Sequence, residues 1–400
     1  MCSPVCISRV TSVIIHIWIM RYLCTINFYR VAEVVKKQLV KFAHKGKEDF
    51  YTAVRGRVNE YFAANNISTY SNSAMYLKTV VMLSLYFVPY LLVVTGVASV
   101  SLWMFYAMWL LMGVGIVGIG TSVMHDSNHG AYTHNKQVNM LLGSVLNLLG
   151  GYARNWRIQH NILHHTYTNI QGLDEDIEAG AAIRMSPEKP LLRMHRYQHI
   201  YAWFIYCIMN LYWITVKDYI MLFRYRRTGL LAKEKVSFQR AILELTMLKV
   251  LYVAYIIVLP IMFGGVAWYH VIFGLLGMHV IAGFSLACIF QPAHVVETSD
   301  FARPDEDHKM ENNWAVHQIR NTANFAPNNK LVCWFIGGLN FQIEHHLFPH
   351  ICHVHYPHLS KIVATVAQEY GVPYQVMPTF RSALIAHGRM LHKLGTTERP

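Results

Sequence analysis

Three short stretches of the chain concentrate histidine at spacings that could hold metal: HDSNH (His125 to His129), HNILHH (His160 to His165) and QIEHH (Gln342 to His346). On a helix, positions i and i+4 share a face. His125 with His129, and His160 with His164, can therefore each offer two imidazoles to one ion. His165 lies about 100° round the helix from His164. His345 and His346 are adjacent and diverge in the same way, which suits two ions better than one and hints at a binuclear site. Packing alone does not account for three histidines in six residues, because each buried imidazole needs its own hydrogen-bond partner. A set of histidines with few carboxylates and no thiolates favours a borderline metal such as iron, zinc or copper. Asp126 and Glu344 sit inside the boxes and are expected to orient imidazoles by accepting their second N–H. The acidic run LDEDIE (Leu173 to Glu178) brings four acids just after the second box, which could hold imidazoles in the same way or form a solvated face. His270 and His279, alone in apolar stretches, read as packed or hydrogen-bonded side chains.

The elements that must position these boxes are membrane helices. The chain of 400 residues is 54% apolar and only 14% charged, with a mean hydropathy of +0.26, too apolar for an ordinary soluble domain. Residues 79–124 and 250–296 contain no Asp, Glu, Lys or Arg. A crossing needs about 20 apolar residues, so each block accommodates two crossings and a tight turn: 79–98 with 102–122, and 250–263 with 268–290. The third span is short unless it starts near Leu245, with Lys249 snorkelling to the surface. The fold expected is all-α and integral to the membrane, with four transmembrane helices in two hairpins, interfacial helices, and a cytoplasmic helical cap bearing the boxes. Residues 199–216, rich in Tyr and Trp, read as an interfacial or re-entrant helix.

Charge supports this layout. The turns near 95–101 and 262–268 are uncharged, whereas Arg55, Arg57, Arg184, Arg193, Arg224 and Arg240 lie in the outer segments, the cytoplasmic side by the positive-inside rule. Both termini and all three boxes then share that side. The net charge of +13 becomes an orientation signal and an attraction to anionic lipid. No compact basic motif points to nucleic acid. The seven cysteines are scattered without a CxxC pair, which argues against a disulfide framework or a thiolate zinc site. Residues 1–39 read as an N-terminal extension, a surface anchor or upstream sequence, to which no function is assigned. Residues 40–78 read as a cytoplasmic segment and 79–400 as the membrane domain.

With its three histidine boxes the sequence resembles the membrane fatty acid desaturases. The QxxHH form, together with RYQHIYAWF, FQPAHVVE and LNFQIEHHLFPH, resembles the front-end acyl desaturases. The resemblance runs from about Val40 to the end. It implies two iron ions, dioxygen as co-substrate, and a fatty acyl substrate linked to CoA or lipid that receives a cis double bond. It also implies His294 of FQPAHVVE as an extra ligand, with His317 as its competitor, and Gln342 as a weaker donor at the variable position of the third box. Many front-end members carry a fused cytochrome b5 domain with an HPGG motif. This chain has none, so no haem is expected in it, and a separate cytochrome b5 or ferredoxin-type donor is expected to supply electrons. The membrane expected is the bacterial inner membrane or the endoplasmic reticulum. Two rivals remain at this level: a related acyl or lipid hydroxylase, distinguished by its product, and a metal transporter, whose site would lie nearer the bilayer midplane.

Overall fold

The computed structural model describes residues 40–43 and 50–397, so the expectations for residues 1–39 lie outside the described residues. Among the described residues, five helices are long and apolar enough to cross a membrane: α2 (Ser73–Val94), α3 (Leu102–Asn128), α4 (Arg193–Thr228), α5 (Phe238–Phe263) and α6 (Trp268–His294). Helix α1 (Phe50–Asn65) precedes them. Beyond them come α7 (Trp314–Arg320), α8 (Gln342–Leu347), α9 (Tyr356–Glu369) and α10 (Phe380–Thr396). Among the described residues, sheet is limited to two parallel two-residue pairs, Lys41–Phe42 with Lys309–Met310 and Asn324–Phe325 with Val376–Met377.

The uncharged blocks form the two expected hairpins. Asn72 caps α2 by accepting from Met75 N, and Ser101 caps α3 by accepting from Met104 N, so each apolar run begins at a side chain that satisfies a free backbone donor. Gly96 turns the first hairpin with φ +75°, and a Cβ there would lie 3.3 Å from Phe263 O in the turn of the second. The two hairpin turns therefore meet at one end of the bundle. Close approach of helices rests on small residues, as is usual in lipid. A Cβ on Gly113 would come within 2.6 Å of Met278 O on α6, and one on Gly115 within 2.8 Å of Tyr86 N on α2. Consequently α3 and α6 run in the same direction and deliver His125, His129 and His294 to the end opposite the turns.

Residues 199–216 lie within α4, 36 residues of nearly continuous helix that is long and apolar enough to cross a membrane; one expectation, for Lys249, needs correction. Lys249 does not snorkel. It is half-buried within α5 and donates at 2.5 Å to both Asp218 and Gly150 O, and the paired carboxylate offsets the cost of holding a cation in an apolar setting.

Above the histidine end sits a cap. Phe50, Val54, Val58 and Phe62 repeat every four residues along α1 and pack with Leu359, Val363 and Val366 of α9 and with Ile343 and Leu347 of α8. This cluster fixes the third histidine box over the ends of α3 and α6.

Candidate metal centre

Each box is delivered by a local departure from regular helix. A π-helical turn, Ile119–Val123, interrupts α3 just before His125, and the second box lies in another, Arg157–His164. Wide turns of this kind recur at functional sites. In the second box the wide turn brings both His164 and His165 beside His160, with ring centroids 5.2 and 4.8 Å away. Trp156 stacks on His160 at 4.5 Å.

The structure brings together the eight expected histidines: His125, His129, His160, His164, His165, His294, His345 and His346. All are buried except His129, which is half-buried. Their nitrogens fall into groups within 4.8 Å of one another: His125, His129, His160 and His345 in one; His164, His294 and His346 in a second; His165 with His345 and His346 between them. The adjacent pair His345 and His346 thus divides between the two groups. Six of the nitrogens, on His125, His129, His165, His294, His345 and His346, are buried without a partner among the described residues. Native proteins avoid that condition because an unpaired buried polar atom costs about 1–3 kcal/mol.

The remaining ring nitrogens are held from outside. His164 Nδ1–H donates to Asp174, 3.1 Å from each oxygen, with Asp176 at 3.4 Å. His346 Nδ1–H donates to Gln318 Oε1 at 2.8 Å, and His294 Nδ1–H to Asn321 O at 3.2 Å. Tyr356 OH lies 3.3 Å from His345 Nδ1. Each anchor fixes the tautomer and leaves Nε2 for an ion. Burial, followed by the neighbouring imidazoles, holds His129, His160, His165, His345 and His346 well below the ordinary histidine value, so they are neutral and their lone pairs are available. His164 differs: burial disfavours its cation, but Asp174 and Asp176 outweigh burial and raise it to about 9.

Several expectations for individual residues change. Glu344 is buried, but its carboxylate accepts from Asn324 Nδ2 and Tyr374 OH, both at 2.8 Å, rather than from an imidazole. It points away from the rings because adjacent helical positions diverge by about 100°. Asp126 stands 3.9 Å from His125 Nδ1, beyond hydrogen-bonding distance, and binds His353 instead. Gln342 donates its amide nitrogen to Leu339 O. His317 engages Thr168 O and Asn321 through its two ring nitrogens, whereas His294 joins His164 and His346. The run LDEDIE is not a solvated face: Asp174 and Glu175 are buried, and Glu175 accepts from Tyr225 OH and pairs with Arg224. Asp174 lies in the acidic run that the sequence offered as a possible holder of imidazoles, whereas Gln318, Asn321 and Tyr356 were not singled out. The available signal was their polarity beside the boxes, which does not reveal direction.

An apolar cavity opens from this cluster into the bundle. His160, His164 and His294 line its polar end, and Ile116, Met209, Gly283 and Phe290 are among the residues lining the rest. The profile of the fatty acid desaturase family matches residues 101–378, which include all eight histidines. The chain belongs to the fatty acid desaturase family. This desaturase is 38% identical to the sn-1 linoleoyl-lipid 6-desaturase of Arthrospira platensis, over 86% of its own length and 92% of the relative's. It is 37% identical to the protein of the same name from Synechocystis sp., over 89% and 98%. It is also 37% identical to the acyl-lipid (8-3)-desaturase of Physcomitrium patens, over 91% and 75%. It is an oxidoreductase acting on fatty acyl chains, of the front-end type. Membership implies a di-iron centre. The residues present fit one, because the donors are nitrogen, they form two groups joined through His165, and six buried nitrogens lack a partner among the described residues.

Proposed function

We propose that this desaturase introduces a cis double bond into a lipid-linked acyl chain, between an existing double bond and the carboxyl end. The observation that carries the proposal is the convergence of eight imidazoles at the inner end of an apolar cavity of the bundle. His125, His129, His160 and His345 would hold one iron and His164, His294 and His346 the other, with His165 between them. Gln342 remains a candidate ninth donor through its amide oxygen, since its nitrogen is the atom bound to Leu339 O. When bound, the irons supply the reductive activation of dioxygen that removal of hydrogen from unactivated methylenes requires.

The chain's own residues bind, orient and exclude water. Buried methylenes contribute about 0.8 kcal/mol each without direction, so affinity comes from the cavity walls and position from their shape. Ile116 lies nine residues before His125 on α3, and Gly283 eleven before His294 on α6. At about 1.5 Å per residue the cavity reaches roughly 14–17 Å beyond the histidines. Trp156 and Phe290 cover the rings on the cavity side. Asp174, Gln318 and Asn321 O keep Nδ1–H protons in place, so the Nε2 atoms stay aimed inward.

Four crossings, with α4 lying along the rim, remain the preferred topology within a membrane domain of residues 79–400. Both halves of α4 support it. Tyr206 OH bonds His387 Nε2, whose Nδ1 bonds the carbonyl of Val295, next to His294. Arg224 and Tyr225 bind Glu175, near the second box. The histidine end and both termini then face the cytoplasm, of a bacterial inner membrane or the endoplasmic reticulum, where a separate cytochrome b5 or ferredoxin-type donor docks. The test is fatty acid profiling of cells expressing this chain or its His345→Ala variant and fed mono- and di-unsaturated precursors. A new double bond made only by the intact chain supports the proposal. A hydroxylated product, or a double bond on the methyl side of the existing one, refutes it.

A further inference from the structure

Lys78 stands six residues inside α2 and is buried. A buried ammonium in a membrane helix is costly and marks a site with a job. Its Nζ lies 2.7 Å from His353 Nε2 and 5.5 Å from the centre of the Trp334 ring. The other nitrogen of His353, Nδ1, lies 2.7 Å from Asp126 Oδ2, which also accepts from His353 N at 3.2 Å and from the Cys352 thiol at 3.1 Å. An ammonium can only donate. His353 Nε2 is therefore the acceptor, and Nδ1–H donates to Asp126. The cation of Lys78 and the anion of Asp126 face each other through one neutral imidazole, all three buried.

Asp126, Cys352 and His353 are close enough together to hold a metal ion. Here, however, both His353 nitrogens are engaged and an ammonium stands against the ring, which repels a second cation. The cluster is a charge-balanced tie rather than a third metal site. It joins three segments distant in sequence: α2 through Lys78, the first box through Asp126, and the stretch after the third box through Cys352 and His353. Asp126 follows His125 directly and precedes His129 by three residues, so holding its carboxylate holds the turn that aims both imidazoles.

We infer that Lys78 is a positioning residue for the metal centre, whose charge, relayed through His353, pins Asp126 and with it His125 and His129. The inference rests on the reading of these histidines as iron ligands. Removing Lys78 takes away the donor to His353 Nε2 and the countercharge of the buried Asp126 carboxylate, so the contacts that fix that carboxylate, and the turn that carries it, are loosened. Partners one step removed from a metal are typically worth about 10–100-fold in affinity.

The test uses the full chain in lipid nanodiscs, with iron counted per chain, chelator competition for affinity, and Mössbauer spectra after loading with iron-57. The expected result is that Lys78→Met binds iron about 10–100-fold more weakly and alters the spectrum of one of the two irons. The double variant Lys78→Met with Asp126→Asn, which removes both charges, should bind iron more tightly than Lys78→Met alone. That recovery is something a merely structural lysine would not give. If Lys78→Met does not insert, the double variant carries the test, and failure of both overturns the inference. Wild-type affinity and spectrum in Lys78→Met overturn it alone, as do losses that simply add in the double variant. Wild-type protein that takes up no iron overturns the ligand reading and this inference with it.

Discussion

Replacing Asp174 with asparagine removes a charge from beside His164 and nearly preserves the side chain's shape. In the native chain burial works against the His164 cation, yet Asp174 and Asp176 raise its value to about 9. Nδ1–H points at Asp174, so the titrating proton sits on Nε2, the atom an iron would take. Metal binding must displace it. At pH 7 the proton is held about two units above the ambient pH, which opposes binding by roughly 3 kcal/mol. From this residue alone iron affinity should rise about tenfold per pH unit up to about pH 9 and then level off. In Asp174→Asn only Asp176 remains to oppose burial, so the imidazole is neutral at pH 7 and the curve levels off well below 9. The variant also loses an orienting partner, worth about 10–100-fold in affinity. At about pH 9, where the proton competes in neither protein, that loss stands alone. At about pH 7 relief from proton competition nearly cancels it. The assay is iron retention against a calibrated chelator between about pH 6.5 and 9.5. Two curves of the same shape, displaced equally at every pH, would refute the argument, because they would mean that Asp174 orients His164 without charging it.

Other substitutions test the remaining geometry. His294→Ala should lose iron, whereas His317→Ala, which breaks the bonds to Thr168 O and Asn321, should keep its iron and melt at lower temperature; metal analysis and thermal scans of both variants decide. Burial raises Glu344 to about 7 despite donors from Asn324 and Tyr374. A folded value above the ordinary glutamate value of 4.5 penalises the charged form, so this residue's contribution to stability is greatest below that value, declines as pH rises to about 7, and is then constant. Glu344→Gln should flatten that decline in melting temperature against pH, and an unchanged slope would count against it. A Cβ on Gly120 would have only Leu286 Cδ2 near it, at 3.8 Å, and Gly120 lines the cavity. Gly120→Leu should therefore insert normally but lose turnover of long acyl chains at least tenfold, a loss of about 1.4 kcal/mol in transition-state binding, measured by product profiling.

The parts of this architecture legible in the sequence are those written as presence or absence of charge. Residues 79–124 and 250–296 have none, and water-free surroundings leave such runs little choice but paired helices. The boxes were legible because imidazoles at short spacings have few other uses. Direction was not legible. Glu344 and Asp174 are both acids near a box, but one faces Asn324 and Tyr374 while the other faces His164. Nothing local separates them, since the difference is set by what packs on each side of α8 and of the loop after the second box. The π-helical turn Arg157–His164 was likewise hidden, because an inserted residue in a helix leaves no change in composition. For α4, Tyr and Trp occur both in spans and along the membrane surface, so residue types alone left its length and placement open. The tie from Lys78 to Asp126 joins positions 48 apart through a histidine at 353, and no local pattern announces such a contact.

The six partnerless imidazole nitrogens carry a consequence for the life of the protein in a cell. At about 1–3 kcal/mol each, their combined cost is comparable to the whole folding stability of an ordinary domain, about 5–15 kcal/mol. A newly made chain is therefore expected to be more open to proteolysis before iron arrives, since the cap over the boxes closes on unsatisfied nitrogens. Its half-life then becomes a gauge of iron supply, set by delivery rather than by translation. Pulse-chase labelling with and without a permeant iron chelator measures this directly: faster decay under chelation is expected for the intact chain. A variant with His164, His294 and His346 all replaced by apolar residues loses one of the two histidine groups and two of the six partnerless nitrogens, so its decay should depend less on iron than that of the intact chain.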